Sequence, residues 1–527
     1  MVERLRWKYV PSAVSLLVVA LIAANYFSPF ADLDFTWQIR TGEEVVRTGD
    51  LRPRDAFTYT IAGRQVPEFE GIYGVGLWVV WNAFGIGGLK LLRVLCVGGP
   101  LLLVGLRLHH EGVRRRGVAL ALLVLVLVES RAWNLRPLYL STMGLLLVSG
   151  WLHDHCTGRR PLPSWLPLLM LAWANLHPGV IMGQGLLLGA IGWEWLNQRL
   201  RLNAPLGRAG LWRLTWIGCL ALTATFLSPD PLGRLLYPFS PESHHPILQS
   251  IPEMRPLSTF LFEPPYTICL VYIVAALTAW TIFRRFRQYR FWEIALLAAL
   301  AWLGTRAFRG VLDWLPIMLT LAVPHLMTML ATAARSRRGI LMQRLLRCDG
   351  SVKRLLHTPL FRWHWAWPAG ALAALTLISI FPPLSRDMPM GNNPDWPVGA
   401  ADWIEAHGVE GRIFAAPDDG AYLMWRRPGV RCYADTRYLF FPPELIEDCQ
   451  YLPQLAPGWP ERLRRVESYG TDYYLLKTSG PHGLLWQAIR AKVADPLYCD
   501  NSVVLLRTEQ VAAGLEAYKR EQAALRP

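Results

Sequence analysis

Apolar runs close to the thickness of a lipid bilayer recur along the first 380 or so residues, and no other feature limits the fold of this chain as strongly. A helix needs about 20 consecutive apolar residues to cross the hydrocarbon core. Candidate spans fall at roughly 11–30, 87–106, 118–130, 138–152, 164–176, 179–196, 212–228, 266–283, 291–304, 309–330 and 366–382. The chain is 53% hydrophobic and only 18% charged, against about 25% charge in ordinary soluble domains. A polytopic α-helical membrane protein of about 11 transmembrane helices is predicted.

Charge orients the spans. The formal charge of +15 is unevenly divided: from Ser385 onward there are 16 Lys+Arg against 19 Asp+Glu, which leaves +18 on the first 384 residues. Much of the excess sits in the loops 107–117, 199–213, 284–290 and 334–357, as in cytoplasmic loops of membrane proteins. The basicity is therefore an orienting charge and no sign of a nucleic-acid partner. With all four loops inside there are eleven crossings, an uncleaved first span with a cytoplasmic N-terminus, and an outside C-terminal part. The stretch "GIYGVGLWVVWNAFG" (71–85) is apolar but short. Counted as a span it would reverse every later loop, so an interfacial or re-entrant helix is expected there. The outside segments are then 31–86, 131–137, 175–179, 229–264, 305–308 and everything after about 383.

Residues 1–384 thus read as a transmembrane domain with an outside-facing acidic loop at 31–86, and 385–527 as a small extracytoplasmic α/β domain. In the latter, "DWPVGAADWIEAHG" predicts a helix capped by Asp395 and ended by Gly408. "GRIFAAP", "VRCYADT", "DYYLLKT" and "SVVLLRT" predict short strands, with helical patterns in "ELIEDCQYLPQL" and "LLWQAIRAKV". Asp435 and Arg437 of "YADTR" are expected to form a structural pair. The eight cysteines show no CxxC spacing, which argues against zinc. Cys432, Cys449 and Cys499 fall in the outside domain, where one disulfide is permitted. The absence of a Walker loop argues against an ATP-driven pump, and the scarcity of mid-span charges against a transporter.

The first outside loop carries the chemistry. Asp32 and Asp34 stand where the first apolar run ends, in "ADLDFTWQIRTGEEVVRTG". Phe35, Ile39, Gly42 and Val46 recur at helical spacing, which predicts a helix with its apolar stripe in the lipid boundary and a Glu43–Arg47 pair opposite. If residues 32–34 are extended, the two acids share a side with Cα atoms about 6.6 Å apart. That spacing suits a shared cation, or a base with a helper. The other reading is that Asp34 caps the helix and Asp32 is solvated.

The order of first span, D-x-D, surface helix and a second acidic stretch resembles the GT-C superfamily of integral membrane glycosyltransferases. That superfamily includes the protein O-mannosyltransferases and the lipid A aminoarabinose transferases. The resemblance rests on "DLDFTWQIRTGEEVVRTGDLRPRDAFTYT" and "PEFEGIYGVGLWVVWNAFG", with "RAWNLRP", "WANLHPGVIMG" and "PDDGAYLMW…VRCYADTRY…SVVLLRT" in support. It implies sugar transfer from a polyprenyl-phosphate carrier to a lipid, glycan or protein acceptor at the outer face of a bacterial inner membrane. Asp34 is then the base with Asp32 beside it, and Glu68 or Glu70 is the second acid. Gln38 stands where such relatives tend to have His, and "EFE" lacks the His that often precedes their second acid.

A departing phosphate needs cations, hydrogen-bond donors or a divalent metal. Arg131, Arg136, His177, Arg306 and Arg309 are the outside candidates, and Asp32 with Asp34 is the place for Mg²⁺ or Mn²⁺. The adjacent histidines of "SHH" (243–245) give little support for a metal. The implied partners are membrane lipids and the polyprenyl-phosphate sugar. A second reading keeps the architecture without catalysis, the terminal domain binding a partner or an envelope polymer.

Overall fold

The computed structural model describes residues 13–30, 33–52, 54–65, 69–240, 242–264, 266–335, 366–380 and 396–524. Asp32, Glu68, Asp395 and the boundary drawn at 384/385 lie outside the described residues. The chain forms two compact units.

The first unit takes the described residues of Met1–Ser28, Val80–Ser228 and Pro252–Pro389. Each predicted span contains a helix. In order these are Ala13–Phe27, Gly71–His110, Arg115–Glu129, Leu138–Cys156, Leu166–Leu176 and Val180–Leu200. Arg208–Ala224, Ile268–Arg285, Phe291–Arg306, Val311–Arg335 and Ala366–Ile380 follow. Among the described residues four helical stretches are long and apolar enough to cross a membrane: Gly71–His110, Arg208–Leu227, Ile268–Gln288 and Phe308–Thr332. The others are shorter or more polar, so helix length does not by itself establish eleven crossings. The segment 71–85 forms a helix of its own, as expected: a break at Gly85 (φ 58°, ψ −148°) separates it from the helix that runs on to His110, a conformation open to glycine and strained for any other residue.

The two ends of this unit differ in chemistry. At one end Arg107 reaches Asp154 at 2.8 Å, Arg290 reaches Glu194 at 2.6 Å, and Asn203 donates to the carbonyls of Arg287 and Tyr289. Three of the basic loops, 107–117, 199–213 and 284–290, therefore gather there. At the other end Thr142 donates to Asp313 at 2.6 Å and the Phe308 N–H to the Arg255 carbonyl at 3.0 Å. Thr142 and Asp154 lie towards opposite ends of the Leu138–Cys156 helix, with a buried core including Leu145, Leu187, Leu214, Leu297 and Leu315 between the two layers.

The second unit takes the described residues of Pro29–Val79, Pro229–Ile251 and Met390–Pro527. Its sheet has strands β1 (Gly411–Ala415), β2 (Val430–Cys432), β3 (Tyr473–Lys477), β4 (Tyr498–Cys499) and β5 (Val503–Arg507), in the order β2-β1-β3-β5-β4. The first three are parallel and the β3–β5–β4 pairs antiparallel. The runs read as strands are β1, β2, β3 and β5. All four bury most of their residues, as strands covered on both faces do. Part of the first loop covers the β2 edge: the Cys432 N–H donates to the Phe57 carbonyl at 3.3 Å, and the Tyr59 N–H to the Cys432 carbonyl at 3.2 Å. An open edge is thereby closed. Cys432, Cys449 and Cys499 are all free thiols, so the permitted disulfide does not form.

The Asp34–Thr48 helix corrects the sequence reading. Phe35, Ile39 and Gly42 are buried, but so are Thr36, Trp37, Gln38, Thr41 and Val45, while Val46 is exposed. Protein and not lipid covers this face: Thr36 Oγ1 donates to the Ala421 carbonyl at 3.2 Å, and the Phe35 ring meets Trp425 edge-on. The ion pairs are Arg40–Glu43 and Arg47–Glu44, three residues apart, in place of Glu43–Arg47. Gly42 also crosses Gly74 closely; a Cβ at Gly42 would lie 2.1 Å from the Gly74 carbonyl oxygen. Gly42→Ala is expected to destabilise the second unit by about 1–3 kcal/mol through overpacking. Thermal unfolding of the detergent-solubilised protein checks it, and an unchanged midpoint would contradict the crossing.

Candidate active site

Asp34 occupies the first turn of the Asp34–Thr48 helix, the end at which an anion is electrostatically favoured. Leu33, not an acid, is the N-cap residue, and Asp34 belongs to the helix itself. One turn on, Gln38 Nε2 donates to Glu70 Oε2 at 2.8 Å. The helix therefore presents Asp34 and grips Glu70, both within the second unit. Tyr438 lies in the field of both Asp34 and Asp418. Burial first, then those negative charges, hold its phenol well above the ordinary tyrosine value, so it stays a proton-bearing donor. Asp418 and Asp419 open the Pro417–Arg426 helix, and Lys477 Nζ holds Asp419 Oδ1 at 2.8 Å.

A buried ion triad lies next to Tyr438 in sequence. Arg437 Nη2 donates to Asp55 Oδ1 and to Asp435 Oδ2, each at 2.6 Å, and Arg437 Nε donates to Asp435 Oδ1 at 2.8 Å. The Arg437 side chain is 2% exposed and both aspartates 0%. Its guanidinium also lies over the Phe57 ring at 5.1 Å. Asp55 Oδ2 is occupied by the Thr58 N–H and Oγ1. The Asp435–Arg437 pair forms as the sequence suggested. Asp55 joins it across 382 positions, a separation that no local spacing encodes.

The cationic candidates of the first unit take three different situations. Arg136 forms an ion pair with Glu253. Burial would raise the Glu253 carboxyl, but Arg136 and Arg309 together hold it below its ordinary 4.5. His177 is 5% exposed, and burial followed by the Arg309 charge pushes its imidazole down to about 3. Arg309 thus acts on both Glu253 and His177, and these groups form one polar layer with Asp313, Thr142 and Ser141. Arg306 is not in that layer; it is exposed and lies over the Trp302 ring at 5.6 Å. The Arg131 side chain is outside the described residues.

Sequence reading missed Glu253, Asp313 and the buried Glu129. Glu129 and Asp313 stand at the ends of apolar runs, where an intramembrane acid is a usable signal, but position alone made them look like flanks.

Only Asp34 of the pair offered to Mg²⁺ or Mn²⁺ is described. Among the described residues, metal-ligating atoms gather in threes only at His110, Glu111 and Asp154. There Arg107 and Arg159 already engage Glu111 and Asp154. The described groups around Asp34 do not make a metal site by themselves. His245, in "SHH", accepts the Ile247 N–H as a helix cap.

The chain has the fold of the GT-C superfamily, as its likeness to solved structures shows. The chain is an integral membrane protein. The solved structures that share the fold include two that match most of this chain. One is ArnT from Cupriavidus metallidurans bound to undecaprenyl phosphate, with a TM-score of 0.50 and 14% identity over 95% of this chain and 98% of that one. The other is the apo oligosaccharyltransferase of Archaeoglobus fulgidus, with a TM-score of 0.53 and 11% identity over 88% of this chain and 69% of that one. No protein-family model and no curated protein sequence matches the chain.

Arg437→Ala leaves two buried carboxylates without their cation and is expected to destabilise the second unit by about 3–5 kcal/mol, measurable by denaturant unfolding of the purified protein. Glu253 sets a pH dependence. Because its folded value is depressed, its stabilising contribution is complete above the ordinary 4.5 and is lost as the pH falls through the lower folded value. Glu253→Gln should remove that part of the acid-side loss of stability, as read from unfolding midpoints across the acid range.

Proposed function

We propose that the protein is a membrane glycosyltransferase that moves a sugar from a polyprenyl-phosphate carrier to a lipid, glycan or protein acceptor, at the outer face of a bacterial inner membrane. The observation that carries this reading is the position of Asp34. It opens a helix that also grips Glu70, in a fold shared over 95% of this chain with a protein solved with undecaprenyl phosphate bound.

Asp34 takes the proton of the acceptor hydroxyl. The freed oxygen attacks the anomeric carbon as the bond from that carbon to the phosphate oxygen breaks, with inversion. The leaving group is the polyprenyl phosphate. A positioned base contributes about 10²–10⁴-fold. Glu70, oriented by Gln38, is the second acid and steers the acceptor. Asp32 and Glu68 are assigned helper roles from their place in the sequence. Arg309 and His177, of the first unit, are assigned to the donor phosphate from their outside loops in the sequence, as a cation and a hydrogen-bonding group. Arg136 is tied to Glu253, which suits it to orient its loop, and the exposed Arg306 is suited to a first encounter with the anionic headgroup. The donor arrives in the bilayer, so no soluble nucleotide-sugar site is needed.

Asp34→Asn should lower transfer from an undecaprenyl-phosphate-linked sugar by about 10²–10⁴-fold while membrane insertion and thermal stability are retained. Liquid chromatography of released undecaprenyl phosphate in nanodiscs measures it. Undiminished turnover by that variant would remove Asp34 from the role of base.

A further inference from the structure

Apolar exposure does not stop where the helical stretch Arg208–Leu227, of membrane-spanning length, comes to its end. Trp216, Leu220 and Leu227 lie along it at helical spacing and are exposed, as side chains facing lipid are. After Ser228 and Pro229 the chain enters a short helix, Pro231–Leu236, which runs on as a 3₁₀ turn, Tyr237–Phe239. Leu232, Leu235, Leu236 and Phe239 stand at i, i+3, i+4 and i+7, a single helical stripe. All four are exposed, Leu232 by 60%, Leu236 by 62% and Phe239 by 80%. The rest of the segment is held by protein. Arg234, the one charged residue of 231–239, is buried. Asp230 Oδ1 accepts the Gly233 N–H at 3.0 Å and caps the helix, while Asp230 Oδ2 meets Arg52 Nη2 at 3.3 Å. The Tyr237 ring meets Phe69 edge-on, with the centroids 5.7 Å apart. Asp230 and Tyr237 thus fix the segment to the first loop, and the opposite face is bare hydrocarbon.

We propose that 231–239 is an in-plane membrane anchor, its leucines and Phe239 seated in the phospholipid leaflet at which Arg208–Leu227 ends. Leu232 follows Leu227 by five residues, a reach of at most about 18 Å even in extended chain. The stripe therefore continues the lipid-facing surface of the span and stays beside the bilayer. It offers no donor, acceptor or charge, whereas specific protein interfaces carry about one hydrogen bond per 100–200 Å². Hydrocarbon is the surrounding that such a face fits, and an apolar patch of this kind marks a contact surface. An amphipathic helix in the interface sinks its apolar side about 5–10 Å into the boundary of headgroups and acyl chains. The anchor also acts on the first loop. Arg52 is paired with Asp230, and Phe69, which meets Tyr237, directly precedes Glu70. The depth of the anchor thereby sets the depth of the loop's second acidic stretch. The inference stands apart from sugar transfer, because it concerns a lipid contact and no reaction.

The test uses the full-length protein in nanodiscs of phosphatidylethanolamine and phosphatidylglycerol, with trifluoromethyl-phenylalanine in place of Phe239. Fluorine NMR reads the broadening caused by two reagents: a phospholipid spin-labelled near the top of its acyl chain, and a water-soluble gadolinium chelate. The expected result is strong broadening by the lipid and little by the chelate. Broadening mainly by the chelate places the face in water and overturns the anchor. Broadening by neither reveals a protein cover, from a second copy or another chain, and overturns it equally. Leu236→Glu changes a side chain exposed enough to leave folding intact. In that variant the lipid broadening at position 239 should be lost and the chelate broadening gained; an unchanged pattern overturns the stripe as the seat of the segment. A second fluorine probe at Phe69 should shift its signal on Leu236→Glu, and an unmoved signal overturns the link to the first loop. No arm reads sugar transfer, so a failure of the transferase reading leaves each of these outcomes as it stands.

Discussion

Arg437, enclosed by Asp55 and Asp435, is the interaction on which the second unit depends. A guanidinium out of water is tolerable only with its charge matched and its donors used, and loss of one member leaves the others buried and uncompensated. The consequence is architectural. Asp55 belongs to the first loop and Asp435 follows β2, so the triad holds the loop against the sheet. The backbone bonds of Phe57 and Tyr59 to Cys432 continue the same junction. Tyr438 is the next residue in the chain, and it is the one that feels the charge of Asp34. The environment of the candidate base is thus built jointly by the first loop and the terminal domain.

In the first unit, the ion pairs and polar contacts described above gather in two layers with an apolar core between them. Burying ionisable groups there is costly, and both layers meet the cost in the same way, with an acid matched to each exposed demand for charge: Arg136 with Glu253 at one end, Arg290 with Glu194 at the other. The layer holding Arg309 also contains the His177 imidazole, engaged at Nδ1 by the Ser141 hydroxyl and the Gly179 N–H.

The legible parts of the fold were those written in periodicity. Apolar runs became helices because only a helix satisfies the backbone within an apolar setting, and the β-rich runs became strands because both sheet faces are covered. The stripe at Phe35, Ile39 and Gly42 told which side of the helix is buried, but periodicity does not say what buries it, and the cover proved to be the Pro417–Arg426 helix. Gln38 looked like a substitution for histidine; only the fold shows that it holds Glu70. Asp55 and Glu253 left no trace in the sequence, being single acids in turn-rich segments whose partners are more than a hundred residues away. The cysteines were equally silent, since spacing permits a disulfide without requiring one. Two-residue β4 is too short for any pattern to announce it.

Native mass spectrometry of the protein extracted from its own membrane addresses the central claim most directly, because a lipid-linked donor should travel with the enzyme that uses it. The account predicts adducts of polyprenyl phosphate or of its glycosylated form, displaced by added undecaprenyl phosphate. Adducts of bulk phospholipid alone, unaffected by undecaprenyl phosphate, would contradict it.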